Sequence, residues 1–236
     1  MSRMLRLVFG LSLAVLPNAT AQNRFVFGYT HTGDGTPANA VQLITDRGIF
    51  GAAGRGWVDN SGFHHRANDN YVAGWLDGLI YRDYFVFDLG GAAAPFGQAT
   101  LRLYNPNVTG ALCFDISCTG YTSPYPFEQF FLRSLGGVHF PDLYHTIAGR
   151  TDIYDALANG AVIGGRRISA ADNGAWVDIT LNRRGLDDLN GGLGGLYGFG
   201  GSLADPSTIV TPEPSTVILL ATGLAIVFLI GGRRKA

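Results

Sequence analysis

Histidines are the first residues of this sequence that could do acid-base or metal chemistry. His64 and His65 precede Asp69, and such a group could bind a metal ion or transfer protons. Adjacent side chains of an extended segment point to opposite faces, however, and the spacing matches no HExxH or H-x-H ligand pair. We therefore predict solvated loop histidines at both positions, and also at the isolated His139 and His145.

Carboxylates could instead support glycoside hydrolysis, which needs two facing acids with separated pKa values. Before Glu213 the only glutamate is Glu128, so aspartates would have to complete the pair. The candidates are Asp83, Asp88, Asp172, Asp178, Asp187 and Asp188. Turn signals, a short exposed helix and the flanks of a core strand account for most of them, so turn and surface roles are expected for nearly all. An extracellular glycan hydrolase is therefore the minority hypothesis, and no catalytic residue is predicted.

Cofactor motifs are weak or missing in the sequence. The segment GGLGGLYGFGG at 191–201 lacks the lysine of a phosphate loop and the strand-turn-helix frame of a dinucleotide site. No Gly-x-Ser-x-Gly elbow occurs. Loop oxygens in NPNVTG at 105–110 and ADNG at 171–174 could bind calcium, but no EF-hand loop supports this. We predict no cofactor and no metal site.

Aromatic residues suggest a binding surface. The loop CTGYTSPYPFEQFF at 118–131 is the best candidate, with Tyr121, Tyr125 and Phe127 as the residues expected to stack on sugar rings. Other rings in predicted loops or strand ends are Trp57, Phe63, Tyr71, Trp75, Tyr81 and Tyr144. The alternative is that several of these rings belong to the core, which is the commoner place for Trp and Phe.

Short strands are expected to position these residues. QATLRLYNP alternates, with Leu101 and Leu103 inward, and RDYFVFDLG predicts a core strand with Phe85 and Phe87 on one face. Further strands are predicted at 24–29, 70–75, 128–132, 162–168, 176–181 and 196–203, whereas 48–62 shows almost no period. Short helices are predicted at 152–158 and 183–189, the second capped by Asn182. The pattern indicates an all-β, antiparallel, jelly-roll-like β-sandwich with one or two short helices.

The N-terminal segment has the features of a secretory signal peptide. Basic Arg3 and Arg6 precede an apolar run at 7–16, and Ala19 and Ala21 form a small-x-small cleavage pattern. Signal peptidase would then leave Gln22 as the first residue. In the oxidising space outside the inner membrane, a disulfide is favoured between Cys113 and Cys118, the only cysteines of the chain, if a turn brings their Cα atoms within about 7 Å.

A second apolar segment lies near the C-terminus. Residues 215–232 form an uncharged run of 18 residues, about 27 Å long as a helix. Arg233, Arg234 and Lys235 follow directly, and the positive-inside rule places them in the cytoplasm. We predict a single transmembrane helix and basic tip at 215–236, a spacer at 205–214, an exported domain at 22–204 and a signal peptide at 1–21.

The three-part tail resembles a known sorting signal. Pro212-Glu213-Pro214, the apolar run and the cluster of Arg233 and Arg234 are similar to the PEP-CTERM signal of Gram-negative bacteria, also catalogued as an ice-binding-protein C-terminal domain. The resemblance implies recognition by an exosortase-type membrane protease near the Pro-Glu-Pro box, then delivery to the cell surface or an exopolysaccharide matrix. The apolar segment would be a transient anchor; a permanent single-pass anchor is the alternative.

A weaker resemblance covers roughly residues 70–203. The segments NYVAGWLDGLIYRDYFVFDL, ATLRLYNP, ISAADNGAWVDITLN and YGFGGSL are similar to the β-sandwiches of exported PEP-CTERM proteins and, more remotely, to DNRLRE-type β-sandwich modules of bacterial surface proteins, some of them linked to carbohydrate. This resemblance implies a fold and no catalytic residues.

Charge limits the class of partner. Without five of the 17 basic residues and one of the 18 acidic ones, all in the terminal segments, the processed chain has 12 basic and 17 acidic residues, a net charge near −5. Such a charge argues against a nucleic-acid partner. The sequence favours a non-catalytic, exported surface or matrix protein that is structural in biofilm or exopolysaccharide, with a carbohydrate-binding module as the alternative.

Overall fold

The computed structural model describes residues 24–26, 39–64, 70–76, 78–92, 94–107, 120–136, 138–144 and 148–204. Ten strands occur in this part of the chain: β1 (Arg24–Phe25), β2 (Val41–Thr45), β3 (Gly48–Asp59), β4 (Gly74–Leu76), β5 (Leu79–Asp88), β6 (Ala99–Asn105), β7 (Glu128–Ser134), β8 (Val162–Ile168), β9 (Ala175–Thr180) and β10 (Leu196–Leu203). Helices α1 (Thr151–Asn159) and α2 (Arg183–Gly191) are short.

All strand pairs are antiparallel, and the sheet runs in the order β8-β7-β10-β5-β3-β2-β6-β9. Strand β4 also pairs with β5, and β1 pairs with β4. The first part of β3 pairs with β2 and its second part with β5, and the register shifts between Ala52 and Gly54. An irregularity of this kind bends a strand, so β3 takes part in both halves of the sheet.

The two end strands of this order, β8 and β9, come back to lie side by side. The Asn182 backbone N–H donates to the Ile163 carbonyl at 2.8 Å, and the Asn182 side chain donates to the Val162 carbonyl at 3.0 Å. Arg166 also reaches the Asp178 carbonyl at 3.4 Å. The sheet is therefore nearly closed. The predicted antiparallel β fold with two short helices is confirmed, and its strands form one continuous sheet path.

Alternating side chains of the strands fill the interior. In β6, Leu101 and Leu103 are fully buried while Thr100, Arg102 and Tyr104 are half-buried, as the sequence pattern predicts. Interior residues from the other strands include Leu43, Phe85, Phe87, Phe130, Leu132, Ile163, Val177, Ile179 and Phe199. Burying each such side chain contributes about 2–3 kcal/mol to stability.

A second apolar cluster lies on the outer face of the sheet, beneath α1. Tyr84 and Val86 of β5 are buried there against Ile153 and Leu157 of the helix. The Tyr84 hydroxyl donates to the Leu143 carbonyl at 3.0 Å. Residues 84–87 of β5 are thus buried on both faces, which explains why this stretch, YFVF, contains only aromatic and aliphatic residues.

Glycines of β10 allow α1 to lie close to the sheet. A Cβ added to Gly200 would be 2.6 Å from the Leu157 carbonyl oxygen, and one added to Gly198 would be 2.6 Å from the Phe140 ring. The segment GGLGGLYGFGG therefore contains a strand whose glycine positions accept the backbone of a helix and an aromatic ring.

Sequence signals located several elements correctly. Strands β8 and β10 have the predicted bounds, and α1 and α2 differ from prediction by one or two residues. The Asn182 side chain accepts a hydrogen bond from the Gly185 backbone N–H at 2.9 Å, which confirms the predicted helix cap. Strands β2 and β3 were not predicted, and the predicted strand at 70–75 is reduced to β4.

None of the helices in the described part of the chain is long and apolar enough to cross a membrane. The predicted signal peptide, the predicted transmembrane helix and the Pro-Glu-Pro box lie outside the described residues, so they stay predictions.

The contact between α1 and β10 predicts that a methyl group added at Gly200 destabilises the protein. Gly200→Ala is expected to lower the free energy of unfolding by about 1–3 kcal/mol, because the new Cβ pushes against the backbone of α1. Urea denaturation followed by circular dichroism measures this loss. Gly195→Ala is the matched control, since a Cβ there meets no atom within 4 Å. If Gly200→Ala and Gly195→Ala lower the free energy of unfolding equally, the close packing of α1 on Gly200 is contradicted.

Candidate functional site

Two of the histidines lie in the described part of the chain, and both contact Asp142. His64 is fully buried, so the prediction of a solvated loop histidine is wrong at this position. Its Nε2 lies 3.2 Å from the Asp142 carbonyl oxygen, which ties the residue to the 3₁₀ turn Phe140–Tyr144. His139 is exposed and lies 3.5 Å from the Asp142 carboxylate. His65, Asp69 and His145 are outside the described residues.

Metal binding finds little support in the described part of the chain. No group of three or more His, Cys, Asp or Glu side chains that could hold a metal ion occurs there. Asp172 of the ADNG segment caps a short turn by accepting from the Ser169 N–H at 2.8 Å, and it pairs with Arg166 at 2.7 Å. Cys113 and Cys118 are outside the described residues, so their disulfide stays a prediction.

Most of the candidate acids make local structural contacts. Asp178 forms a two-pronged pair with Arg102 at 2.6 and 2.7 Å, and the Arg102 side chain lowers the pKa of that carboxyl. The other contacts join Asp187 to Arg183, Asp188 to the Tyr197 hydroxyl, Asp88 to the Gly90 N–H and Glu128 to the Ser123 hydroxyl. Glu128 is 1% exposed, so it is an interior residue of β7.

Asp83 differs from the other acids and corrects the expectation of a strand-flanking, surface role. It lies within β5, between Trp57 of β3 and Gly201 of β10, and is fully buried. A Cβ on Gly201 would collide with Asp83 Oδ1 and with the Phe130 ring, so the glycine makes room for the carboxyl group. Neither carboxyl oxygen has a side-chain partner among the described residues, and burial raises the pKa of Asp83 well above its ordinary value. Burial therefore favours the protonated form of this carboxyl group over the charged form.

The aromatic loop predicted from sequence divides into a buried anchor and an exposed tip. Tyr121 is 5% exposed, and its hydroxyl donates to the Tyr125 carbonyl at 2.6 Å. Its backbone N–H donates to the Asn173 side chain at 2.5 Å. The Tyr121 ring therefore offers no face to a sugar. Tyr125 and Phe127 are 45% and 42% exposed, so the predicted stacking surface reduces to these two rings.

Arginines extend the exposed tip onto the sheet. The Arg167 guanidinium of β8 lies 4.4 Å from the centre of the Phe127 ring, and Arg133 of β7 lies 5.5 Å from the centre of the Phe131 ring. Burial and the nearby charge of Arg82 lower the pKa of Arg133. We call this surface the β7–β8 strip; it comprises Tyr125, Phe127, Gln129, Phe131, Arg133 and Arg167. The sequence predicted the two loop rings, Tyr125 and Phe127. It did not predict the strand residues of the strip, because they become neighbours only when β7 pairs with β8.

Other predicted aromatics serve mainly in packing. Trp57 contacts Tyr81 with ring centres 5.0 Å apart, and Tyr71 contacts the core residue Phe85 at 5.5 Å. The strand surface of β6 and β9 holds a further exposed ring, Trp176, which is 37% exposed and packs edge-on with Tyr104. This pair belongs to the solvent face of the strands and was not predicted as a site.

No protein-family model matches the sequence, and no curated protein matches it.

The raised pKa of the buried Asp83 predicts an unusual dependence of stability on pH. The folded state binds a proton more tightly than the unfolded state, whose aspartate pKa is about 3.9. The contribution of Asp83 to the free energy of unfolding is therefore fully present below about pH 4. It is lost as the pH rises through the raised pKa of Asp83 in the folded state. Asp83→Asn should be more stable than the unsubstituted protein at pH 7, on the order of 2 kcal/mol, with the difference closing towards pH 4.

Urea unfolding of both proteins between about pH 4 and pH 8 measures this difference. Asp88→Asn is the matched control, because Asp88 is exposed on the same strand and its side chain only caps a turn. A pH-independent loss of stability in Asp83→Asn would show that the carboxyl group is needed in its charged form.

Proposed function

We propose that this chain is a non-catalytic protein of a Gram-negative bacterium, exported across the inner membrane and sorted to the cell surface or the extracellular matrix. The observation that carries the proposal is the tail pattern of Pro212-Glu213-Pro214, the uncharged apolar run and the closing Arg233 and Arg234. The signal-like N-terminal segment supports the same direction of export.

In this proposal each part of the chain has a separate task. The nearly closed sheet is a jelly-roll-like sandwich that forms the exported body, and 205–214 is a spacer that keeps the body away from the membrane. The segment 215–236 spans the membrane as a single helix until an exosortase-type protease acts near the Pro-Glu-Pro box. Signal peptidase removes residues 1–21 at the other end.

Carbohydrate binding is the second candidate function, and the exposed tip of the 120–127 loop favours it. Tyr125 and Phe127 are exposed although they are large rings, and hydrogen bonds through Tyr121 and Ser123 brace the loop that presents them. Braced, exposed rings bind flat sugar faces at a small entropic cost. A protein that resides in an exopolysaccharide matrix would use such a surface to stay there.

The intact mass of the protein from its native host tests the sorting proposal. We expect a matrix form that begins at Gln22 and ends near residues 212–214, raised further if sugar is attached. Replacing residues 212–214 by alanines should leave the unprocessed chain in the membrane fraction. Replacing Ser207 and Thr208 by alanines is the matched control and should leave processing unchanged.

A different mass would overturn the proposal. If the protein is found only in the membrane and retains Arg233 to Ala236, the tail is a permanent anchor and the exosortase proposal is wrong.

A further inference from the structure

The outer face of the sheet is only partly covered by α1. The helix packs over β10 and β5, and its C-terminal end reaches Gly160, whose carbonyl accepts a hydrogen bond from Arg133 at 3.0 Å. On this side of the sheet, Gly165 and Arg167 of β8 are exposed, and Gln129, Phe131 and Arg133 of β7 are half-buried. The β7–β8 strip occupies that area and continues into the exposed tip of the 120–127 loop.

Strand pairing places the members of the strip on one surface. Gln129 lies opposite Arg167, and Phe131 lies opposite Gly165. A Cβ on Gly165 would be 3.3 Å from both the Gln129 amide nitrogen and the Phe131 ring, so these side chains lie across the glycine. From Phe127 to Arg133 the extended chain covers about 20 Å, a length that accommodates several sugar rings.

The positive charges of the strip are not balanced within the described part of the chain. Arg82, Arg102, Arg150, Arg166 and Arg183 each pair with an aspartate. Arg133 and Arg167 have no carboxylate partner among the described residues, and the same holds for Arg47 and Arg184 elsewhere on the surface. The strip therefore carries two guanidinium groups without a carboxylate partner in the described part of an otherwise acidic chain, and such groups attract anions.

Aromatic rings accompany both of these charges. Arg167 lies over Phe127 and Arg133 lies near Phe131, which fixes each guanidinium beside a ring. A ligand that matches this pattern must offer carboxylates that pair with a guanidinium group and apolar ring faces for stacking. Sugar rings with carboxyl groups have both features in one repeating unit.

We propose that the β7–β8 strip binds an acidic polysaccharide built from uronic acid residues. Carboxylates of the polymer pair with Arg167 and Arg133, and the sugar faces stack on Phe127 and Tyr125. The inference rests on the proposed function, because export to the cell surface or matrix is what would bring the protein into contact with a polysaccharide. It narrows the ligand from glycans in general to glycans that carry carboxyl groups.

Binding of the full-length chain, kept in mild detergent, to immobilised alginate tests the inference. Alginate supplies a polymer of uronic acids, and dextran supplies a neutral polymer as the comparison. We expect saturable binding to alginate only, weakened as NaCl rises to about 0.5 M. Arg167→Gln should weaken binding about tenfold and Phe127→Ala about fivefold, because both residues contact the polymer.

Two substitutions elsewhere act as matched controls. Arg184→Gln removes an exposed arginine of α2, and Trp176→Ala removes an exposed ring from the β6 and β9 surface. Neither should change alginate binding. Urea denaturation of all four variants checks that each is folded, which is expected because all four side chains project from the surface.

Several results would overturn the inference. Failure to bind alginate excludes a uronate polymer as the ligand, whatever the mass measurement says about sorting. Equal binding to dextran assigns the site to neutral glycans, and equal binding to an oligothymidylate strand assigns it to nucleic acid. If Arg184→Gln lowers binding as much as Arg167→Gln, alginate is attracted by positive charge anywhere on the surface and does not bind specifically to the β7–β8 strip. A retained C-terminal tail would overturn the sorting proposal alone.

Discussion

The bend of strand β3 is the constraint on which the rest of the structure depends. The first part of β3 pairs with β2 and the second with β5, and the register shift between Ala52 and Gly54 separates the two. Without that change of direction the strands would form an open sheet with one face in water. With it, β8 and β9 meet at the opposite side, and the apolar face becomes an enclosed interior. Each half of the sheet therefore supplies the surface against which the other half is buried.

Strand β10 decides how the two faces of the central sheet are used. Gly200 on the outer face lets the backbone of α1 lie directly on the strand, whereas Gly201 on the inner face leaves space for the carboxyl group of Asp83. The helix thus covers β10 and β5 and excludes water from a second apolar cluster. A buried carboxyl group without a side-chain partner gives less stability than the same volume of hydrocarbon would, so this core is not optimised for stability alone at neutral pH.

The division between covered and uncovered sheet also shapes the proposed site. Because α1 ends near Gly160, the outer side of β7 and β8 retains contact with solvent, and Arg133 lies at the border between the helix and the free surface. Two hydrogen bonds between Tyr121 and Asn173 tie the base of the 120–127 loop to the turn before β9, and they restrict the conformations open to the loop. Rigid presentation favours binding because less conformational entropy is lost when a ligand binds. The tail and the sheet therefore contribute separately to the proposed function, one by directing the protein to a compartment and the other by providing a surface.

Local patterns in the sequence determined the antiparallel β class, the alternation of Leu101 and Leu103, the bounds of β8 and β10, and the cap at Asn182, because these depend on interactions between near neighbours in the chain. The tail and signal patterns are equally local, and they define the proposed export route. The sequence did not reveal β3, whose glycines obscure any period, nor the burial of His64, Asp83 and Tyr121. Burial depends on which distant strands pair and which helix covers them. Only the tertiary structure could therefore place Asp83 inside the core and bring together the rings and arginines of the β7–β8 strip.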